Sequence, residues 1–266
     1  MTGRALRLAD LTWPELPPSA TVVVPVGSLE QHGPHLPLET DALVAEAVAV
    51  RAVAALDRDD VLVAPVVAYG ASGEHQHFAG TVSTGTPVLH LLLVELVRSL
   101  RTWAARVVLV NGHGGNLDAV RGAVGQLVDE GHDVTWAPCA AVGADLHAGR
   151  TETSLLLHLR PDLVRLDRAV AGATASAAEL LPLLRAGGVV AVSANGVLGD
   201  PAGASAEEGR ALLEEMVGRV VAVISSSVEP APSPVEPAPS SVEPAPSSVE
   251  PAPSSVEPVE TPQGAR

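Results

Sequence analysis

Short runs of β-branched residues alternate with longer segments rich in alanine and leucine over the first 224 residues of the chain. Such an alternation is typical of strands connected by crossover helices, and valine-rich runs favour strands buried in a parallel sheet. The predicted strands are residues 21–27, 60–67, 106–112, 133–139 and 188–194. The predicted helices lie at about residues 40–57, 87–104, 116–130, 152–159 and 203–224. The pattern therefore predicts an α/β fold.

The composition changes abruptly at Ser225, where repeats of the form VEPAPSS begin. Proline at every second or third position is incompatible with helices and sheet ladders, and little apolar surface remains to offset the entropy of ordering. The repeats contain six glutamates and one arginine, so they carry −5 of the formal net charge of −15. We predict a folded domain over residues 1–224 and a disordered, acidic, proline-rich tail over residues 225–266.

Charge, cysteine content and the N-terminal segment restrict the partners and the location of the protein. A net charge of −15 argues against nucleic acid and anionic membranes as partners, because the attraction to phosphate groups would be reversed. The single cysteine, Cys139, excludes a disulfide framework and fits a reducing compartment. Residues 1–20 lack the apolar core of a signal peptide, and no apolar segment is long enough to cross a membrane. These observations predict a cytoplasmic protein.

Polar clusters follow three of the predicted strands. They read GSLEQHG at residues 27–33, YGASGEHQHF at residues 69–78 and NGHGGN at residues 111–116. In open parallel sheets, ligands bind in the crevice beyond the carboxyl ends of the strands. The three histidine-bearing loops are therefore predicted to converge on a single site.

The first cluster contains residues suited to binding a metal ion. Glu30 and His32 are i, i+2 neighbours, and they project from the same face if the strand continues to residue 30. Asp41 follows at the start of the next helix, where a capping role is an equal alternative. His113 lies in a glycine-rich turn that could instead bind an anion, but the Walker lysine is absent.

A fourth cluster, DLHAGRTETSLLL at residues 145–157, contains His147 and Glu152. Glu152 is either a ligand or an acid that stabilises the first turn of a helix. Carboxylates and imidazoles together suit Zn, Mn or Fe, and two such ions bridged by a carboxylate would activate a water for hydrolysis. A serine triad is less attractive because no GxSxG motif is present. The sequence indicates a metal-dependent hydrolase.

Four motifs occur in the order known from one family: GSLEQHGPHLPLETD, NGHGGN, HAGRTETS and GVLGDPAGAS. Over about residues 10–222 the chain resembles the creatininase family of metal-dependent amidohydrolases. The resemblance implies a three-layer sandwich with a mostly parallel central sheet flanked by helices. It also implies two divalent ions, Zn and/or Fe with Mn as an alternative, and a homo-oligomer, a hexamer in other members.

The resemblance implies a role for each motif residue. Glu30, Asp41 and His113 would hold one ion, and His32 and Asp41 would hold the second. Gly115 stands where creatininases have a glutamate ligand of the second ion, so that Glu152 is expected to replace it. Within this site Glu152 and His147 are the expected catalytic residues, and His147 would protonate the leaving nitrogen.

The glycine pair also affects the expected substrate. Gly114 and Gly115 would open the pocket floor, and they are expected to line it together with Asn116. The loop at residues 69–83 would supply the other substrate contacts, which are Glu74, His75 and Phe78. His75 and His77, which are i, i+2 neighbours, could instead bind a metal ion as a pair.

Among glycine-type members, the chain most resembles peptidases that remove a modified C-terminal dipeptide from a ribosomal precursor peptide. The alternatives are a deformylase or cyclic amide hydrolase acting on a small nucleotide-like or lactam substrate, and a non-catalytic metal-binding interaction protein.

Overall fold

The computed structural model describes residues 5–226, which contain a five-stranded sheet whose strands are all parallel. The strands are β1 (Leu6–Arg7), β2 (Thr21–Val26), β3 (Val61–Val63), β4 (Arg106–Asn111) and β5 (Val134–Pro138). The helices are α1 (Thr40–Leu56), α2 (Thr86–Leu100), α3 (Leu117–Asp129), α4 (Arg150–Leu159), α5 (Ala177–Gly187) and α6 (Ala206–Ser225). The spatial order of the strands is β1-β3-β2-β4-β5, so β2 is central and β3 and β4 are its neighbours.

The side chains of the central strand alternate between two apolar layers. Val22 and Val24 belong to the layer formed with α2 and α3, whereas Val23 belongs to the layer formed with α1, α4 and α6. Every residue of β2 and β4 is buried, as expected for strands covered on both faces. The prediction of an α/β sandwich with helices on both faces is confirmed. No helix within residues 5–226 is both long and apolar enough to span a bilayer.

The predicted strand at residues 188–194 is wrong. Val189–Ala191 form a short 3-10 turn, and Gly188 before it has a φ of +69°, which a strand does not adopt. This turn follows α5, a helix that the sequence analysis missed although Ser176 and Glu179 form a capping box at its start. The fifth strand of the sheet is instead β1, whose two residues are too few to produce a recognisable pattern.

The C-terminal helix ends beside the first residue of β4. The Arg106 guanidinium donates hydrogen bonds to the backbone carbonyl oxygens of Ile224 (3.2 Å) and Ser226 (2.6 Å). This end of α6 therefore lies at the amino ends of the strands, away from the carboxyl ends where ligands bind in parallel sheets. The helix includes Ser225, the first residue of the predicted tail, and the predicted disorder of residues 227–266 falls outside the described residues.

Candidate metal centre

The loops that follow β2, β3 and β4 are joined by the side chain of Asn116. Its Oδ1 accepts a hydrogen bond from the Ala71 backbone NH (2.8 Å), and its Nδ2 donates to the Gly27 carbonyl oxygen (3.0 Å) and to Asn111 Oδ1 (3.1 Å). The side chain is completely buried. The three loops thus converge as predicted. The amide that the sequence analysis assigned to substrate binding is already occupied by bonds within the protein.

Asp41 lies between two histidines. Its Oδ1 is 3.1 Å from His32 Nε2, and its Oδ2 is 3.1 Å from His113 Nδ1. Although Asp41 belongs to the first turn of α1, the start of this helix has no side-chain cap, and the carboxylate faces the imidazoles. A carboxylate that presents each oxygen to a different imidazole has the arrangement of a bridging ligand.

The first group of potential ligands consists of Glu30, Asp41 and His113, whose ligand atoms lie within 4.8 Å of one another. Ser28 Oγ is hydrogen-bonded to Glu30 Oε2 (3.0 Å) and to Asp41 Oδ2. The other oxygen, Glu30 Oε1, is buried without a hydrogen-bond partner. Since an unpaired buried carboxylate oxygen is costly unless a cation compensates it, this group fits a metal ion.

His32, His147 and Glu152 form a second group with the same close spacing. Glu152 Oε2 is 3.8 Å from His32 Nε2 and accepts a hydrogen bond from the Ala148 backbone NH (2.6 Å). Glu152 lies in the first turn of α4, where an acid can stabilise the helix. Its carboxylate also faces His32, as a ligand would. The fold thus places Glu152 beside His32, whereas His113 contacts the other oxygen of Asp41.

The hydrogen bonds of Gln31 indicate which nitrogen of His147 carries a hydrogen. His147 Nε2 is 2.8 Å from the Gln31 backbone carbonyl oxygen, which can only accept, so Nε2 is the protonated nitrogen. The Gln31 amide nitrogen is also 2.9 Å from this Nε2. Its two hydrogens, however, have acceptors in His75 Nδ1 (2.8 Å) and the Gly196 carbonyl oxygen (3.0 Å). The unprotonated His147 Nδ1 therefore faces the acids, 3.7 Å from Glu30 Oε1.

Burial and charge shift the pKa values of this cluster strongly. Burial raises the pKa of Glu30 and of Glu152 to about 7. Burial alone would also raise the pKa of Asp41, but the adjacent His32 and His113 hold it well below its usual value. For His32 the lowering effect of burial is outweighed by Asp41 and the glutamates, and its pKa is about 10. Two fully buried acids, Glu30 and Asp41, and the partly buried Glu152 are balanced only by imidazoles, which makes a site with affinity for a cation.

The loop after β3 brings His75 and Glu74 to this cluster. His75 is buried, and its Nε2 lies 3.2 Å from Glu30 Oε1 without hydrogen-bond geometry. Glu74 Oε1 lies 3.5 Å from His113 Nε2. His77 is exposed, so the two histidines of this loop do not form a shared metal site.

A cavity of about 170 Å³ lies beside the potential ligands. Asp41, Glu152 and Gly114 line it. The prediction that both glycines open a pocket is wrong for Gly115, which does not line this cavity and has no free space around it. Asp145 and Thr151 also line it, and most other wall residues are small or apolar, among them Val44, Cys139, Ala140, Ala141, Leu155 and Met216. Phe78, a predicted substrate contact, is half-buried and does not line this cavity. Because three acids and no basic side chain line it, the cavity disfavours an anionic group.

The sequence analysis missed Ser28 and Gln31. Ser28 shares the i, i+2 spacing that grouped Glu30 with His32, so the same reasoning could have identified it. Gln31 projects from the opposite face, and its contacts lie 44 and 116 residues away along the chain, so no local signal pointed to it.

Comparisons with known proteins identify relatives of this chain. A family model described as creatininase, creatinine amidohydrolase, matches residues 9–224. A mycofactocin precursor peptide peptidase of Mycolicibacterium smegmatis is 58% identical over 200 residues, which cover 74% of this chain and 81% of that protein. A creatinine amidohydrolase of Pseudomonas putida is 31% identical over 265 residues, which cover 86% of this chain and 99% of that protein.

A solved structure also shares the fold. A mutant creatininase described as of the Zn-Zn type superimposes with a TM-score of 0.67 at 30% sequence identity. The match covers 84% of this chain and 98% of that protein. The family match over residues 9–224 includes every loop that carries a potential ligand.

Proposed function

This chain belongs to the creatininase family, and we propose that within it the protein is a metal-dependent peptidase that acts on the mycofactocin precursor peptide. The observation that carries this proposal is the 58% identity with a mycofactocin precursor peptide peptidase, nearly twice the 31% identity with a creatinine amidohydrolase. Gly114 supports the same choice, because it borders a cavity rather than filling it. We further propose that the product released is the modified C-terminal dipeptide.

Two divalent ions are proposed to occupy the site. Glu30, Asp41 and His113 would hold one ion, and His32, Asp41 and Glu152 would hold the other, with Asp41 shared. The unpaired Glu30 Oε1 and the excess of buried acids support this ligand set. The ions would activate a water and polarise the scissile carbonyl. Zinc is the first metal to test, since a related creatininase is described as of the Zn-Zn type.

His147 is proposed to move the proton during hydrolysis. Burial first, and then the neighbouring histidines, hold the pKa of His147 well below its usual value, so the ring is neutral. Because its Nε2 hydrogen is bonded to the Gln31 carbonyl oxygen, Nδ1 is the free acceptor. We propose that Nδ1 takes a proton from the attacking water and returns it to the departing amine nitrogen.

Mass spectrometry of the modified precursor peptide after incubation with the metal-loaded protein tests the proposed function. We expect a mass loss equal to the C-terminal dipeptide, and no loss with protein whose metal has been removed. The unmodified peptide, a formamide and a lactam serve as comparison substrates. An intact precursor together with a cleaved formamide or lactam would contradict the peptidase assignment and favour the alternative hydrolase. Bound metal without cleavage of any amide would instead favour a non-catalytic protein.

Deleting residues 227–266 is expected to leave turnover unchanged. The end of α6 lies beside Arg106 at the amino ends of the strands, whereas the proposed ligands follow their carboxyl ends. A deletion that begins at residue 224 is the matched variant, because it also removes the Ile224 and Ser226 carbonyl oxygens that Arg106 binds and leaves its 3.3 Å contact with the Val223 carbonyl oxygen. We expect it to lower the melting temperature. Steady-state rates on the precursor peptide check the first expectation, which a large loss of activity on deleting residues 227–266 would refute.

A further inference from the structure

Gly115 has no room for a side chain. A Cβ atom at this position would lie 2.5 Å from the Ala71 carbonyl oxygen, 2.5 Å from His113 Nε2 and closer still to Glu74 Oε1. Real Cβ atoms essentially never make contacts this short, so the groups around Gly115 exclude any larger residue. The glycine therefore leaves no empty space on this side, because the carboxylate of Glu74 occupies the position.

Glu74 is directed at a proposed metal ligand. Its Oε1 is 3.5 Å from His113 Nε2 and 3.9 Å from His75 Nε2. The Glu74 carboxylate therefore lies beside the imidazole of His113.

The two nitrogens of His113 have different surroundings. Nδ1 faces Asp41 Oδ2 at 3.1 Å, on the side of the proposed bridging carboxylate. Nε2 lies 3.3 Å from the Ala71 carbonyl oxygen and 3.1 Å from Glu30 Oε2, in addition to its contact with Glu74. A histidine that binds a metal through one nitrogen commonly donates the hydrogen of the other to a carboxylate or carbonyl oxygen, which orients the ring. The Ala71 carbonyl oxygen is such an acceptor, and the Glu74 carboxylate lies 3.5 Å from the same nitrogen.

We propose that Glu74 is a positioning residue of the metal centre. Its carboxylate orients His113 and takes the space of a side chain at Gly115, rather than contacting the substrate as the sequence predicts. The inference rests on the proposed ligand role of His113, but it does not depend on the identity of the substrate.

The loop that carries Glu74 is held in place on several sides. The Ala71 backbone NH donates to Asn116 Oδ1 (2.8 Å), and the Ser72 backbone NH donates to Ser83 Oγ (2.9 Å). The turn before Val189 also packs against this loop, because a Cβ at Gly188 would lie 2.7 Å from the Glu74 carbonyl oxygen. A carboxylate on a fixed loop can hold an imidazole in one orientation, which a mobile side chain could not do.

Metal titration of three variants tests the proposal. Glu74→Ala removes the carboxylate, and Glu74→Gln replaces it with a neutral amide of similar size. His77→Ala alters an exposed side chain of the same loop as a control. Zinc affinity is measured by competition with a chromophoric chelator, and the ligand geometry by the visible spectrum of the cobalt-loaded protein. We expect Glu74→Ala to weaken one of two ions about 10- to 100-fold and to shift the spectrum. Glu74→Gln should show a smaller loss, and His77→Ala should match the unaltered chain.

Other outcomes would overturn the proposal. Unchanged zinc affinity in both Glu74 variants, with only the KM for peptide raised, would assign Glu74 to the substrate. Equal losses in Glu74→Gln and Glu74→Ala would indicate that Glu74 binds the ion directly. A similar loss in His77→Ala would attribute the effect to the fold of the loop. Because these measurements need no substrate, failure of the proposed peptidase activity remains distinguishable from failure of this inference.

Discussion

Replacement of Asp41 by asparagine is expected to abolish binding of both metal ions and peptide hydrolysis together. Asp41 presents Oδ1 to His32 and Oδ2 to His113, so a single carboxylate belongs to both proposed sites. Asparagine keeps the shape but removes the charge and turns one oxygen into a donor. Loss of the ions removes several kcal/mol of stabilisation of the transition state, roughly a 1,000-fold or greater decrease in rate.

Elemental analysis of the purified variant measures this effect directly. We expect two ions for each unaltered chain and fewer than one for Asp41→Asn, with kcat/KM falling in parallel. Glu39→Gln is the matched control, because it removes an exposed acid two residues away at the same helix start. Retention of one tightly bound ion by Asp41→Asn would contradict a bridging role and assign the carboxylate to one site only.

A valine-rich run in the sequence correctly predicts a strand only where the tertiary fold provides neighbouring strands to pair with it. The valine-rich run at Thr21–Val26 forms the central strand because β3 and β4 pair with it on both sides. The run at residues 188–194 is also valine-rich, yet Gly188 with a positive φ turns the chain after α5, and Val189–Ala191 form no strand. Local composition indicates that a segment is apolar, whereas its pairing partners depend on the tertiary fold.

The candidate site was predictable in part. Glu30, His32 and Asp41 lie within a dozen residues, so their grouping could be inferred from i, i+2 spacing and from the helix start that follows. The position of Glu152 beside His32 depends on the packing of α4 against α6 and α1, for which the sequence offers no local signal. The contact of Glu74 with His113 likewise exists only because β3 and β4 flank β2 and align their loops.

Replacement of His147 by glutamine is expected to separate proton transfer from metal binding. His147 lies in one group with His32 and Glu152, so it could be either a ligand or a proton carrier. Its Nδ1 faces the acids while Nε2 is bonded to the Gln31 carbonyl oxygen, an arrangement that allows Nδ1 to accept and return a proton. Loss of a general acid–base group lowers turnover by about 10²- to 10⁴-fold.

The two roles of His147 predict different measurements. A proton carrier predicts that His147→Gln retains two ions, loses turnover with little change in KM, and recovers part of its rate when imidazole is added. A ligand role predicts that one ion is lost and that added zinc, rather than imidazole, restores activity. The neutral state of the ring, maintained by burial and by His32 and His75, is compatible with both roles. The bond to the Gln31 carbonyl oxygen keeps Nδ1 unprotonated and oriented toward the site, which both roles require, so the number of ions that His147→Gln retains decides between them.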